Sequence, residues 1–140
     1  MGGIEAIPFG LLVFVLGALL IANAWAVVDA KFATDAAARE AARTYVEAAS
    51  ASDAGRQAEA AALSTIGAHG RDPKRASVRS VGELAFARCG RVTFEVTYTV
   101  PALSLPLIGG YGDGPFTVRS THSEVVDPFR SGVPGEADAC

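Results

Sequence analysis

Residues Ile7–Val28 read IPFGLLVFVLGALLIANAWAVV, 22 consecutive positions without an ionisable side chain. Thirteen of them are Leu, Ile, Val or Phe, and only Pro8, Gly10, Gly17 and Asn23 interrupt the apolar character. A helix of this length rises roughly 33 Å, which matches the ~30 Å hydrocarbon layer of a bilayer. At about −0.3 to −0.6 kcal/mol each, the thirteen residues favour insertion by roughly −4 to −8 kcal/mol, more than Asn23 and the glycines cost. Trp25 lies near the far end, where an amphipathic ring suits the headgroup layer. The stretch predicts a transmembrane helix over 7–28, preceded by a short segment 1–6 and followed by a head over 29–140. The competing reading is a cleaved secretory signal, with Ala22-Asn23-Ala24 as its small-residue site. A signal peptide starts with a basic segment, whereas Met1–Glu5 holds no Lys or Arg, and the helical pattern runs on past Ala24. A retained anchor is therefore expected.

Beyond Asp29 the helical period continues in a different solvent. Asp35, Arg39, Glu40, Arg43 and Glu47 fall on one side of a 3.6-residue wheel over Ala30–Ser50. Ala30, Thr34, Ala37, Ala41, Thr44 with Tyr45, and Ala48 fall on the other. This small-residue seam permits close approach but buries too little area to hold a helix alone, so it requires a partner. Either the rest of the head or another subunit supplies it. A second helix is expected to be capped by Ser52 or Asp53, to run to about Ile66 and to stop in Gly67-Ala68-His69-Gly70. His69 reads as a cap or solvated loop residue.

From Arg75 onward the period becomes two. Ala76–Val81 is a first strand. Arg91–Val100 is the clearest one, with Val92, Phe94, Val96, Tyr98 and Val100 on one face and Arg91, Thr93, Glu95, Thr97 and Thr99 on the other. Such alternation predicts an antiparallel sheet with one covered face, for which the two helices are the available cover. Phe116–Val126 is a third strand, with Phe116 and Val118 inward and a bulge or a turn-away expected where Ser120 and His122 break the alternation. The fold class is thus α+β: a long N-terminal helix, a shorter second helix and a small three-stranded antiparallel sheet. The intervening PALSLPLIGGYGDG is too apolar for ordinary exposure; it folds onto the sheet or meets a membrane or neighbouring subunit. The tail 127–140 should be irregular.

The totals narrow the function. A net charge of −3, with twelve scattered Lys and Arg, excludes a basic nucleic-acid surface. Cys89 and Cys140 lie too far apart for a metal motif, and two histidines do not complete a ligand set. In an oxidising compartment their natural fate is a Cys89–Cys140 disulfide; in the cytoplasm they would be two free thiols. A disulfide closing that loop is worth roughly 4 kcal/mol in the chain-entropy model. His122 sits between Thr121 and Ser123, but adjacent strand residues point to opposite faces and no third member completes a triad. With no Gly-rich phosphate loop either, no enzymatic activity, cofactor, metal or small-molecule substrate is expected.

A glutamate ahead of an apolar helix, the continuation AAAREAARTYVEAA, and a strand meander closing in Val125-Val126-Asp127-Pro128-Phe129-Arg130 resemble the TadE-like minor pilins, or pseudopilins, of tight-adherence (Flp-type) pilus systems. The resemblance implies a single-pass protein of the cell membrane with its C-terminal domain extracytoplasmic. Its partners would be membrane lipid, other pilin-like subunits and the assembly platform of the pilus. It implies subunit assembly through Glu5, matched to the pilin glutamate that meets a neighbour's N-terminal amine, and through the seam Ala30, Thr34, Ala37, Ala41, Thr44 and Ala48. On charge grounds Glu5 reads equally as a headgroup-level acid at a helix start beside Pro8. The family's peptidase cuts after a basic leader ending in glycine, and Gly2 and Gly3 lie too close to Glu5. Either the true start lies upstream or the chain is an unprocessed member. A membrane-tethered binding or accessory domain unrelated to pili is the alternative.

Overall fold

The computed structural model describes residues 6–101, 116–137 and 140. Glu5 and the apolar loop after Pro101 lie outside the described residues. Helix α1 spans Ala6–Glu47, 42 residues, or about 63 Å of rise. Helix α2 spans Ala51–Ala68, and a single 3-10 turn, Pro73–Arg75, leads into β1 (Ala76–Ser80). Strands β2 (Arg91–Val100) and β3 (Phe116–Val125) complete an antiparallel meander in the order β1-β2-β3. The two helices cover one face of this sheet, giving the α+β class that the periodicities predict. Helix α1 lies over β2 and β3, and α2 packs beside α1 toward β1.

The core is built of small helix residues against β-branched and aromatic strand residues. Ala30, Ala33, Ala37, Ala38, Ala41 and Ala42 of α1 are fully buried, as are Ala54, Ala58, Ala62 and Ile66 of α2. Methyl-sized side chains bring the helix backbones close to each other and to the sheet, so each small burial is repeated many times. Larger groups fill the distal end: the Tyr45 ring meets Phe86 edge-on at 5.8 Å and Phe94 at 5.7 Å, separations at which aromatic pairs add stability beyond area. All five inward residues of β2 are buried, as the alternation requires.

The ends of the helices are closed by specific groups. Arg130, from the tail, donates to the carbonyls of Val46, Glu47 and Ala48, placing a cation on the negative end of α1 and satisfying acceptors that have no partner within the helix. Its guanidinium also stacks over Phe86, 5.5 Å from the ring centre. Helix α2 starts earlier than expected, with Ser50 rather than Ser52 or Asp53 as its cap. Ser50 occupies the N-cap with extended dihedrals but makes no capping bond to the backbone; its hydroxyl donates to Asp53 at 3.0 Å. Asp53, inside the first turn, satisfies the helix N-terminus by charge instead. At the other end His69 is the C-cap, Gly70 adopts φ +71°, Gly70 N–H bonds Gly67 C=O and Arg71 N–H bonds Ile66 C=O. This pair of bonds is the Schellman arrangement, and it turns the chain so that Arg71 points back at α1.

Strand β3 departs from the expected shape. It pairs one-to-one with β2 from Val100↔Phe116 to Arg91↔Val125, with no bulge at Ser120 or His122. Ser120 points inward and is buried because polar groups of α1 receive it: its hydroxyl lies 3.1 Å from Thr34 Oγ1 and accepts from Lys31 Nζ at 2.8 Å. Val118 is buried as expected, but Phe116 is 55% exposed. The outer face is also less uniformly solvated than its Thr/Glu pattern implies. Glu95 is only 6% exposed, held between Arg79 (2.6 Å) on β1 and Arg119 (3.5 Å) on β3.

The connection before β2 is tied to the tail. Cys89, with φ +62°, donates its N–H to Val126 C=O, and Val126 N–H returns to Gly90 C=O. Glycine is required at position 90, since a Cβ there would lie 2.4 Å from Ala85 O. The turn delivers Cys89 to Cys140 at a Cα separation of 5.1 Å, and the two form a disulfide.

Candidate functional site: the apolar helix and its junction with the head

The two halves of α1 have opposite surroundings. Ile7, Phe9, Leu11, Leu12, Phe14, Leu20 and Ile21 are exposed along the first half, whereas Ala30 onward forms the core of the head. An 18-residue window of this helix has mean hydropathy 2.5 and no part of it is buried inside the protein. Among the described residues it is one helix, near the N-terminus, long and apolar enough to cross a membrane. An apolar surface of this size requires a nonaqueous partner. Trp25 is 71% exposed, at the end of the stretch. Asn23 directs its amide N–H back to Leu19 C=O at 2.9 Å, so part of its polarity is met within the helix.

The transition is marked by charge. Asp29 is the first ionisable residue after the apolar stretch, and Arg71 reaches it from the turn after α2, with Nε 3.1 Å from Oδ2. Arg71 also donates to Ala26 C=O at 3.0 Å and lies over the Tyr98 ring at 5.7 Å. Two residues on, Lys31 donates to Arg119 C=O and Ser120 Oγ on β3. Two cations, Arg71 from the turn after α2 and Lys31 of α1 itself, therefore join α1 to the rest of the head at the level where its solvent changes.

The sheet is aligned with this junction. Phe116 lines a groove of about 500 Å³ together with Leu20, Asn23, Ala24 and Val27 of α1, while Val125, at the other end of β3, lies beside Val46 and Glu47. Ten residues of strand rise about 30 Å, and the helix from Ala24 to Val46 about 33 Å, so β3 runs alongside α1 from the junction to the distal tip. Val100 and Phe116 form the last pair of the β2–β3 ladder at the junction end.

The sequence-derived assembly residues fall in two groups. Glu5 lies outside the described residues. Ala30, Thr34, Ala37, Ala41 and Ala48 are all buried within the head, and Thr44 is half-buried. The seam's partner is thus the chain's own sheet and second helix, which leaves these side chains little surface for another subunit. The disulfide pair Cys89 and Cys140 is brought together. His122 lies 3.1 Å from Glu124 Oε1 on its own strand. Sequence reasoning missed Arg71, Arg130 and Glu95. Gly70 after an apolar helix was a usable signal for Arg71, because a Schellman turn fixes where the next side chain points. No family model, curated protein or solved structure matches the chain.

Proposed function

We propose that the chain is a non-enzymatic, single-pass membrane protein with an extracytoplasmic head, acting as a minor pilin-like component of a tight-adherence or type IV-like pilus assembly or secretion system. The observation that carries the reading is the continuity of α1: one uninterrupted helix presents a bare apolar half and then serves as the spine of a small α+β head. A rigid anchor of this kind transmits the orientation of the head to the membrane without a flexible linker. The Cys89–Cys140 disulfide supports an oxidising location for the head. The TadE-like resemblance of residues 5–49 supports the pilus assignment.

The test is deletion of the gene in its own host, followed by electron microscopy of surface fibres and immunoblotting of secreted pilin. Reduced fibres, restored by the wild-type gene, are expected; unchanged fibres contradict the pilus role. A second reading, a membrane-tethered accessory domain unrelated to fibres, is favoured by one observation. The small-residue seam that would contact other subunits is consumed inside the head. Normal fibres in the deletion strain, together with membrane retention of the protein in the wild-type strain, support that reading.

A further inference from the structure

We infer that the Phe116 end of the sheet rests on the lipid bilayer, and that acyl chains fill the groove between Phe116 and residues Leu20, Asn23, Ala24 and Val27 of α1. The inference rests on the membrane-anchor reading and adds to it the face and depth at which the head meets lipid. Three observations converge on it. First, the groove wall is the anchor helix itself, so whatever covers Leu20 and Val27 also covers Phe116. Second, the depth agrees. About 20 residues at 1.5 Å cross a ~30 Å hydrocarbon layer, so a layer beginning at Ile7 ends near Ala26 or Val27, level with Phe116. Third, among the described residues, the ionic groups of α1 nearest this level are already partnered within the chain: Asp29 with Arg71, and Lys31 with Ser120. Lipid contact therefore requires no charge to be stripped of its only partner.

Phe116 is a large aromatic left 55% exposed at the start of a strand, and no other described element accounts for its position. In contact with lipid it gains apolar burial of the kind that holds amphipathic segments in the interface. The head then stands on two supports, α1 and the Phe116 corner of the sheet, which fixes its tilt as well as its height.

The experiment uses the full chain reconstituted in phosphatidylcholine–phosphatidylglycerol vesicles, with tryptophan fluorescence as the probe. Trp25 is the sole tryptophan and serves as the anchor control. The variant Phe116→Trp in a Trp25→Phe background reports on the groove. Phe129→Trp in the same background reports on the distal tail, where Phe129 is 85% exposed. Phospholipids brominated high in the acyl chain are expected to quench the Phe116→Trp indole several-fold more than the Phe129→Trp indole, with a blue-shifted emission close to that of Trp25. Red-shifted, unquenched emission at Phe116→Trp with Trp25 still quenched overturns the inference while leaving the anchor intact. A blue-shifted but unquenched signal means that a second copy fills the groove, which also overturns it. Failure to quench Trp25 removes the anchor reading itself. Circular dichroism of each variant confirms that α1 and the sheet persist.

Discussion

Arg71 holds Asp29 across the interface between the two helices, with Nε 3.1 Å from Oδ2, at the point where α1 passes from bare apolar surface into the head. The arginine is largely buried, its side chain 13% exposed, and it also serves Ala26 C=O and the Tyr98 ring. Arg71→Ala leaves that carbonyl and carboxylate without a cation, and half-exposed Asp29 softens the loss. We expect a decrease in stability of about 1–2 kcal/mol. Asp29→Asn keeps an acceptor and should cost less. Denaturant unfolding of the whole chain in detergent, monitored through tyrosine and tryptophan fluorescence, measures both, and an Arg71→Ala variant as stable as wild type contradicts the assignment.

Glu95 supplies a pH dependence of known sign. Its hydrogen bond from Arg79 is the largest influence and holds the carboxyl below the usual carboxylate range; partial burial opposes this, and the charges of Arg119 and Arg79 reinforce it. A carboxyl whose pKa is lower in the folded state stabilises the fold above its unfolded pKa, about 4.3, and that contribution is lost as pH falls through the folded value. Stability should therefore decline below about pH 4.3, with part of the decline removed in Glu95→Gln. Thermal melts of both proteins across acidic pH provide the comparison. Identical pH profiles would show that the Arg79–Glu95–Arg119 cluster contributes nothing.

The disulfide closes a separation of 51 residues between the turn before β2 and the last residue of the chain. In the chain-entropy model such a closure stabilises by about 4 kcal/mol, a large share for a head of this size. Cys140→Ser, with Cys89→Ala to avoid a stray thiol, is expected to lower the unfolding free energy by that order and to expose the tail to proteases. Unfolding curves and limited proteolysis of oxidised, reduced and substituted protein test it. Equal curves for all three would place the bridge outside the energetics of the fold.

The sequence made the large elements legible because each has a strong period. Twenty-two uncharged residues, an Ala/Thr seam at 3.6-residue spacing and the alternation Val92 to Val100 each exclude other conformations. What it hid was pairing between polar residues distant in the chain. Ser120 looked like a break in β3 because its partners, Thr34 and Lys31, lie 86 and 89 residues away. Glu95 looked solvated because Arg79 and Arg119 belong to other strands. The seam alone was ambiguous between an internal and an external partner, since small residues carry no information about what approaches them. The structure places it inside the head. Phe116 was read inward from alternation, which is blind to where a sheet ends relative to a helix.

The central claim is that the bare half of α1 stays in lipid as an intact anchor for the head. Alkaline carbonate extraction of membranes from cells expressing the chain at native level tests it most directly. The account predicts that the full-length protein remains in the pellet and leaves it only with detergent. Recovery of the protein in the carbonate supernatant, or as a soluble form shortened after Ala24, would contradict it.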